Sequence, residues 1–411
     1  MVSIKRFPMR VTASSSTLRR VTRPWNPVDI CFGFNSSHKL GEVVKGFGRR
    51  KVFFVTDRII LEKTEVVRTL ESILDERKIE RTVWADVEPE PRIEVADQVT
   101  HAIRQNGYDC VVGLGGGSVL DMAKVAAAMY TNEGDVINYL GVNKLKHKAL
   151  DLVLIPTTAG TGSDVTNRAM MTADEKAVVA SDALYARSSL VDPSLTLTMP
   201  PKVTADTGFD ALCHSLEGIM SNENFDGVQN VEEAGYEAVK LLLENIRNVV
   251  MNGHDLEARE KMMYGALLSG LVLSKKAMVY GHSLAYPFAP HYKIPHGRST
   301  IMALPYVIEF SCHDERCGRK IGRIAEEVGI SKPGQPYQEN VTAVVTLIKA
   351  LIEEVYEYLA IPITLQGVGV PEEDLGWMAK LCLERWPRPT SPVQATEKDI
   401  SRLYETMWKG E

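Results

Sequence analysis

The sequence predicts an α/β N-terminal half built on a parallel sheet, followed by a C-terminal half that is all-helical. Short apolar runs alternate with helical patterns up to about residue 200, which is typical of a doubly wound parallel sheet. After Pro200 and Pro201, long helical patterns predominate. We therefore predict a basic N-terminal arm at 1–28, an α/β domain at 29–200 and a helical domain at 201–411.

The strands of the N-terminal half are predicted from short apolar runs that end at polar residues or glycines. They lie at residues 51–56, 81–84, 108–113 and 152–155. Helical periodicity places helices between them at 61–78, 95–106 and 119–129. The same periodicity predicts C-terminal helices at 203–220, 229–250, 255–275, 319–329, 337–359, 372–385 and 397–408.

The composition is that of an ordinary globular protein with ample core. The chain has 411 residues, of which 45% are hydrophobic and 24% are charged. Its net charge of -6 argues against a nucleic-acid or membrane partner, and no apolar run approaches the roughly 20 residues of a membrane span. The six cysteines form no CxxC pair, which predicts reduced thiols in a cytoplasmic compartment.

The first 28 residues are basic, serine-rich and free of acidic side chains before Asp29. Such a start has two interpretations, a mitochondrial transit peptide or a basic N-terminal arm. Pro8 and Pro24 would interrupt an amphipathic helix, so we favour the arm. Its basic residues are Lys5, Arg6, Arg10, Arg19, Arg20 and Arg23.

Four residues of the C-terminal half could hold a metal ion. Asp210 and His214 are four apart in a helical pattern, which places them on one face. His282 begins a second helical segment, and His296 lies in a predicted Pro-His-Gly turn. One carboxylate and three imidazoles suit Fe²⁺ or Zn²⁺. The alternative is that these histidines are hydrogen-bonded core or surface residues.

A glycine-rich segment at residues 113–118 lies between a predicted strand and a predicted helix. Glycines let the backbone approach phosphate oxygens, and a helix N-terminus offers free N–H groups. Asp121 and Lys124 follow in the first turns. The segment therefore predicts nucleotide binding, with a tight βα turn as the alternative.

Two further features are compatible with a nucleotide. Residues 155–164 hold four hydroxyls and two glycines after a predicted strand, a composition that suits a diphosphate or a ribose. Asp57 ends an earlier strand, where its carboxylate could accept from a ribose 2′-hydroxyl and would repel a 2′-phosphate. This favours NAD over NADP, although Asp57 could equally cap a helix.

Four segments together resemble the iron-containing (group III) alcohol dehydrogenase family, and the match runs from about residue 28 to the C-terminus. They are GGGSVLDMAK, IPTTAGTGSDVT, GFDALCHSLEG and GHSLAYPFAPHYKIPHG, in this order and spacing. The resemblance implies the dehydroquinate synthase-like fold of this family, with an α/β dinucleotide-binding domain and an all-α metal-binding domain. It also implies an NAD-dependent oxidoreductase that acts on CH–OH groups, as a homodimer or higher homo-oligomer.

The resemblance implies specific site residues and a mechanism. A divalent metal, Fe²⁺ or else Zn²⁺, would act as a Lewis acid on the substrate oxygen while hydride passes to or from the nicotinamide. The implied metal ligands are Asp210, His214, His282 and His296. The implied cofactor contacts are Asp57, Gly115, Gly116, Gly117, Ser118, Asp121, Thr157, Thr158, Thr161, Ser163, Lys176 and Leu195.

Two departures from the family pattern bear on the substrate. Tyr286 stands where many members have a histidine. In having a tyrosine at this position, the chain resembles 4-hydroxybutyrate dehydrogenases and hydroxyacid–oxoacid transhydrogenases. Lys275 and Lys276 replace an asparagine-rich pair, and could anchor a substrate carboxylate. Arg298 and Arg168 are further candidates. The alternative is that these basic groups face solvent or pair with acids.

The predicted function is a metal-dependent, NAD-linked alcohol dehydrogenase or aldehyde reductase, with His282, Tyr286 and Lys276 at the catalytic centre. Its substrate would be a small primary alcohol, and an ω-hydroxy acid such as 4-hydroxybutyrate is one candidate. A hydroxyacid–oxoacid transhydrogenase is the alternative within the class. A dehydroquinate synthase-like lyase and an inactive binding protein are remoter alternatives.

Overall fold

A computed structural model describes residues 18–410 of the chain. Lys5, Arg6 and Arg10 of the predicted basic arm lie outside the described residues. The chain forms two compact units that divide between Met199 and Pro200. Within the described part, no helix is long and apolar enough to cross a membrane.

The described residues of the first unit, from residue 18 onward, form ten strands in two sheets. They are β1 (Arg19–Val21), β2 (Asp29–Phe32), β3 (Lys51–Val55), β4 (Glu80–Trp84), β5 (Cys110–Gly115), β6 (Gly141–Val142), β7 (Asp151–Pro156), β8 (Arg168–Thr172), β9 (Lys176–Ala180) and β10 (Ser188–Val191). The larger sheet has the order β1-β2-β10-β7-β5-β3-β4, and only its β1–β2 pair is antiparallel. The smaller sheet has the order β6-β9-β8.

Helices fill the connections of the larger sheet. They are α1 (Leu40–Gly46), α2 (Arg58–Lys63), α3 (Val66–Glu76), α4 (Ile93–Asn106) and α5 (Gly117–Thr131). The central strand β5 is buried along its whole length, as expected of a parallel strand covered on both faces. The predicted parallel α/β fold is therefore confirmed, but the pattern missed the short strands β1, β2, β6 and β8–β10.

The predicted helix at 61–78 is two helices in the structure. Thr64 ends α2 with an extended backbone, φ −131° and ψ 161°. Its hydroxyl donates to the carbonyl of Ile60, which satisfies a group that a continuing helix would otherwise bond. The prediction of one continuous helix was therefore wrong at this residue.

The second unit is helical throughout its described residues. Its helices are α6 (Pro201–Met220), α7 (Val228–Met251), α8 (Leu256–Leu273), α9 (Tyr280–Ala285), α10 (Phe288–Tyr292), α11 (His296–Ser311), α12 (Glu315–Glu327), α13 (Tyr337–Tyr358), α14 (Leu375–Arg385) and α15 (Glu397–Lys409). Helix α6 is buried along most of its length and packs against α7, α8 and α11. It is therefore the central helix of this unit.

Helix α11 was not predicted from the sequence. The Pro-His-Gly segment is not an isolated turn, because Pro295 is the N-cap residue of α11 and His296 is its first residue. Pro305 within the helix weakens the sequence signal, since proline lacks the N–H that an internal helical residue donates. Gly297 allows a close approach to α6, because a Cβ there would lie 1.9 Å from the carbonyl oxygen of Asp206.

Candidate functional site

Helix α6 presents three acidic or imidazole side chains along one face. Asp210, His214 and Glu217 follow one another at spacings of four and three residues, so they point the same way. All three are buried. Asp210 and His214 are predicted from the sequence and Glu217 is not, although its spacing of seven from Asp210 was a usable signal.

Helix α9 and the start of α11 bring two more imidazoles to Asp210. His282 Nε2 lies 3.9 Å from Asp210 Oδ1, and His214 Nδ1 lies 3.9 Å from Asp210 Oδ2. Ligand atoms of these three residues all lie within 4.8 Å of one another. His296 Nε2 is 3.7 Å from Asp210 Oδ1, but His296 is not part of that mutual group. The structure thus brings three predicted ligands together and places the fourth beside them.

The donor atoms of this group suit a divalent metal ion. His214 Nδ1 and His282 Nε2 are enclosed and have no hydrogen-bond partner among the described residues. Their separations of 3.9 Å from Asp210 are too long for hydrogen bonds, and one carboxylate with imidazole nitrogens is a donor set that would hold a divalent metal ion. Burial, and then the neighbouring His214, lowers the pKa of His282 well below its usual range. Its imidazole is therefore neutral and offers a lone pair.

Glu217 orients His282. Its Oε1 lies 2.6 Å from His282 Nδ1, and its Oε2 accepts from the His282 backbone N–H at 3.3 Å. This contact leaves Nε2 facing Asp210, as a metal ligand requires. Burial raises the pKa of Glu217 to about 8, and the charge of Arg388 acts in the opposite direction. Gly281 makes room for the carboxylate, since a Cβ there would lie 2.5 Å from Glu217 Oε1.

Tyr286 lies against the same group of residues. Its ring stacks on His296, with centroids 5.9 Å apart and an interplanar angle of 11°. Trp386 packs edge-on against Tyr286 at 5.2 Å, and the Arg388 guanidinium carbon lies 5.6 Å from its centroid. Arg388 Nε donates to the hydroxyl of Ser283 at 2.6 Å. Trp386 and Arg388 were missed because their segment carries no periodic or glycine-rich pattern and only tertiary folding brings it to the site.

The structure corrects the expectation that Lys276 contacts substrate. Its side chain is fully buried, and its ammonium donates to the carbonyls of Ser221 and Glu223 at 3.0 Å each and to Glu232 at 3.1 Å. An ammonium has three N–H donors, and all three are used here. Lys276 therefore stabilises the packing of the helical unit and has no donor left for a substrate carboxylate.

The other predicted anion anchors differ in their surroundings. Arg298 is buried and forms a two-pronged contact with Asp206, with Nε and Nη2 at 3.2 and 2.9 Å from its two oxygens. Its charge is thus already neutralised by a carboxylate. Lys275 is half-buried beside Lys276, and Arg168 lies on β8 in the first unit.

Two loops of the first unit end neighbouring parallel strands. Strands β5 and β7 are paired, so the glycine-rich loop after β5 and the loop at residues 157–163 leave the same edge of the sheet. The chain reverses its direction of sheet growth between β3 and β5. Asp57 follows β3 and the glycine-rich loop follows β5, so both flank this switch point, where open α/β sheets bind their ligands.

The glycine-rich loop opens helix α5 without a side-chain cap. Gly116 is the N-cap residue, and Gly117 is the first residue of the helix, followed by Ser118. A Cβ on Gly117 would lie 2.6 Å from Thr161, and one on Gly116 would lie 3.4 Å from Thr158. The second loop therefore packs directly over the first, and the uncapped N–H groups suit a phosphate.

A buried polar network ties the two loops together. Ser163 donates to Asp121 Oδ1 at 2.5 Å, and the backbone N–H of Met170 donates to Oδ2 at 2.9 Å. Lys124 is fully buried, and its ammonium donates to the Thr166 hydroxyl at 2.9 Å. Asp121 and Ser163 thus hold the loops in place. Thr157, another predicted contact, is buried, and its N–H donates to the carbonyl of Gly115.

Three predicted cofactor contacts lie elsewhere in this unit. Asp57 is half-buried and caps α2, since its Oδ1 accepts from the Ile60 N–H at 2.8 Å. Burial raises the pKa of Asp57, against the effect of that N–H. Lys176 lies on β9 and forms an ion pair with Glu90. Leu195 is buried in the apolar core under the sheet, so its contacts are with that core.

Both units match known protein families. Residues 27–193 match the family described as iron-containing alcohol dehydrogenase. Residues 204–408 match the family described as Fe-containing alcohol dehydrogenase, C-terminal. Over 386 residues the chain is 34% identical to long-chain-alcohol dehydrogenase 1 of Geobacillus thermodenitrificans, covering 92% of this chain and 94% of that protein.

Solved structures give the same picture. A 1,3-propanediol oxidoreductase has a TM-score of 0.87 at 29% identity, covering 95% of this chain and 100% of that one. A sulfoacetaldehyde reductase from Bifidobacterium kashiwanohense, solved in complex with NAD⁺, has a TM-score of 0.83 at 26% identity. It covers 95% of this chain and 100% of that one.

Proposed function

The chain belongs to the iron-containing alcohol dehydrogenase family, and from this premise we propose that it interconverts small primary alcohols and aldehydes with metal-dependent, NAD-linked chemistry. We further propose that Asp210, His214, His282 and His296 hold the metal, Fe²⁺ or another divalent ion. The observation that carries this proposal is the pair of enclosed, unpartnered imidazole nitrogens facing one carboxylate.

The chain's own residues would prepare this centre for catalysis. When bound, a divalent ion supplies Lewis acidity to the oxygen of the alcohol or aldehyde. Glu217 keeps His282 in the tautomer that offers Nε2. Tyr286, half-buried and stacked on His296, supplies a phenol that can hydrogen-bond the substrate oxygen. As a proton carrier near neutral pH it is poorer than a histidine.

The first unit would bind NAD. Gly115, Gly116, Gly117 and Ser118 offer backbone N–H groups to the pyrophosphate, and Thr158 and Thr161 lie over them. Asp57 at the switch point would accept from the ribose hydroxyl. NAD carries the hydride, so the protein's contribution is to position and orient it. A direct role for Lys176 or Leu195 is less favoured, because one is paired and the other belongs to the core.

The substrate range is a separate proposal. The names of the similar enzymes point to long-chain alcohols, 1,3-propanediol and sulfoacetaldehyde, so the family accepts both neutral and anionic substrates. One candidate substrate is 4-hydroxybutyrate. The second candidate function is a transhydrogenase that holds its nicotinamide tightly, and the residue that favours this function is Tyr286. A dimer, the predicted arm at 1–28 and a cytoplasmic location stay predictions.

The proposal is tested by metal add-back. The protein is stripped of metal with a chelator, given Fe²⁺, Zn²⁺, Mn²⁺ or Ni²⁺ separately, and offered NADH with short aldehydes while absorbance at 340 nm is followed. Metal-restored NADH oxidation supports the dehydrogenase. Activity that does not depend on metal contradicts the site. No NADH oxidation, together with nicotinamide that survives dialysis and transfer from a hydroxy acid to 2-oxoglutarate, favours the transhydrogenase.

A further inference from the structure

Arg388 acts on the buried Glu217 only from a distance, where its charge opposes the rise in the pKa of that carboxyl. Among the residues that the structure describes, no acid lies within ion-pair distance of its guanidinium. Its Nε donates to the Ser283 hydroxyl, which in turn donates to the carbonyl of Trp386 at 2.7 Å. Its Nη2 is enclosed and has no hydrogen-bond partner within residues 18–410. Arg388 as a whole is half-buried, so part of its guanidinium stays accessible. A guanidinium whose donors are incompletely satisfied by protein is costly, and its accessible side therefore favours an incoming anion.

Two other cations of this unit do not share this property. Lys276 uses all three of its donors on protein oxygens. Arg298 is neutralised by Asp206 through two hydrogen bonds. Of these three cations, only Arg388 therefore has a donor without a protein acceptor among the described residues, and the sequence did not identify it.

The position of Arg388 connects it to the metal ligands. Its guanidinium lies over the Tyr286 ring at 5.6 Å, and the same ring stacks on His296 at 5.9 Å. His296 lies 3.7 Å from Asp210. One aromatic ring thus separates the unpaired guanidinium from a proposed metal ligand. A short molecule could place an oxygen beside the imidazoles at one end and an anionic group beside Arg388 at the other.

We propose that Arg388 binds an anionic group at the far end of the substrate. The enzyme then acts on short aldehydes and alcohols that carry a carboxylate or sulfonate, with Arg388 as the residue that determines this specificity. A planar guanidinium matches the two oxygens of such a group. This inference rests on the proposed function, since it names the substrate class of the same site.

The test compares two aldehydes of equal chain length that differ in charge. The holoenzyme is assayed with succinic semialdehyde and with its neutral methyl ester, and kcat/KM is measured for each. The wild-type protein should prefer the charged aldehyde, and Arg388→Gln should lower the ratio of the two kcat/KM values about 10- to 100-fold. The ratio in Arg388→Lys should lie between those of the wild-type protein and Arg388→Gln, because lysine keeps the charge and lacks the planar guanidinium.

A binding measurement provides a readout that needs no turnover. Titration calorimetry with 4-hydroxybutyrate and no NAD should give a Kd at least about tenfold weaker in Arg388→Gln than in the wild-type protein. The matched control is Arg385→Gln, because Arg385 is an exposed arginine only three residues away. This control should leave both the Kd and the kcat/KM ratio unchanged. Metal content is measured in every variant.

Each contrary outcome has a distinct meaning. A wild-type preference for the ester, or an unchanged ratio in Arg388→Gln, overturns the anion site while the dehydrogenase stands. Equal losses on both aldehydes, or loss of metal, would make Arg388 a positioning residue for Ser283 and Glu217 and also overturn it. If neither aldehyde is reduced, the proposed function fails, and calorimetry still decides whether Arg388 binds an anion. If Arg388→Gln does not fold, the proposal is tested by the ratio of the two kcat/KM values in the wild-type protein and in Arg388→Lys. An unchanged ratio in Arg388→Lys, or a wild-type preference for the ester, then overturns the anion site.

Discussion

Two sets of buried side chains, three aspartates in the first unit and two histidines in the second, differ in how their polar atoms are paired. In the first unit Asp121, Asp164 and Asp192 each accept hydrogen bonds from protein donors. In the second unit His214 Nδ1 and His282 Nε2 are enclosed, and the part of the chain that the structure describes offers them no hydrogen-bond partner. Buried polar groups in proteins are nearly always paired, so an unpaired set that faces one carboxylate has the character of a binding site. The paired aspartates stabilise the fold of the first unit, whereas the two unpaired histidines are residues that would hold a ligand.

The largest expected effect comes from removing the carboxylate that the unpaired nitrogens face. Asp210→Ala should abolish metal binding and lower kcat/KM by about 10³-fold or more, because several kcal/mol of Lewis-acid stabilisation are lost. The measurements are metal content by mass spectrometry and NADH oxidation. Among the described residues, the Asp210 side chain accepts only one long hydrogen bond, from the Thr300 hydroxyl at 3.4 Å. The metal-free variant should therefore unfold close to the temperature of the metal-free parent.

A variant that keeps one metal per chain would refute this assignment. A large loss of stability in the metal-free form would remove the contrast between the units, since Asp210 would then behave as a structural residue. Asp210→Asn provides the matched case, because it keeps the shape of the side chain and loses its charge. We expect it to bind metal more weakly than the wild-type protein and better than Asp210→Ala.

The second effect should appear in stability alone. Asp192 is fully buried and accepts from Asn35, from the N–H and hydroxyl of Ser37, and from the N–H and hydroxyl of Ser194. Asp192→Ala leaves these donors enclosed and unpaired, which should cost about 3 kcal/mol or more. Scanning calorimetry should show an unfolding transition lowered by about 6 °C or more.

Metal content should not change in Asp192→Ala. This variant should therefore lose stability and keep its metal, whereas Asp210→Ala should lose its metal and keep its stability. The control is Asp174→Ala, since Asp174 is exposed. Its transition should move by no more than about 1 °C. An equal shift in both variants would show that the buried hydrogen bonds of Asp192 contribute nothing special to the fold.

A third, smaller effect concerns Glu217, which is the hydrogen-bond partner of one nitrogen of His282. Glu217 pairs with His282 Nδ1 and thereby leaves Nε2 unpaired. Glu217→Gln keeps the shape but weakens this hydrogen bond, so metal affinity should fall about 10- to 100-fold. Competition with a chelator of known affinity measures it. An unchanged affinity would show that the packing of α9 orients His282 without help from Glu217.

The sequence predicts the parts of the fold whose pattern is local. The apolar runs of β3, β5 and β7 and the long helices α6, α7 and α13 lie close to their predicted residues, because periodicity reflects burial directly. Helix α11 was missed because of Pro305, and the smaller sheet because its strands are short. Asp210 and His214 were found together since one helix turn separates them.

The remaining parts of the candidate site depend on tertiary folding. Trp386 and Arg388 come from a segment over 80 residues beyond His296 in the sequence, with no motif of their own. Lys276 was expected to contact substrate because it is near His282 in the sequence. Its ammonium instead donates to Ser221 and Glu232, which are 55 and 44 residues away in the sequence, so no local sequence pattern predicts these contacts.

The smallest effect concerns Asp57, which is hydrogen-bonded like the paired aspartates and is also proposed to bind a ligand. One oxygen caps α2 through Ile60, and the residue is half-buried at the switch point of the sheet. Asp57→Asn keeps a good helix cap and removes the charge that would repel a 2′-phosphate. The ratio of kcat/KM for NADH over NADPH should therefore fall about tenfold, because a half-exposed charge is screened by solvent. Glu62→Gln, which removes an exposed charge from the same helix, should leave this ratio unchanged.

The pH dependence of that ratio separates a charge effect from a change of shape. Burial raises the pKa of Asp57, so the wild-type carboxyl becomes neutral at a higher pH than an ordinary aspartate. Preference for NADH in the wild-type protein should therefore weaken as the pH falls, whereas the ratio in Asp57→Asn should stay flat. If the wild-type ratio is equally flat, the discrimination comes from the shape of the loop after β3. Asp57 would then be a helix cap, and would join the paired residues that stabilise the first unit.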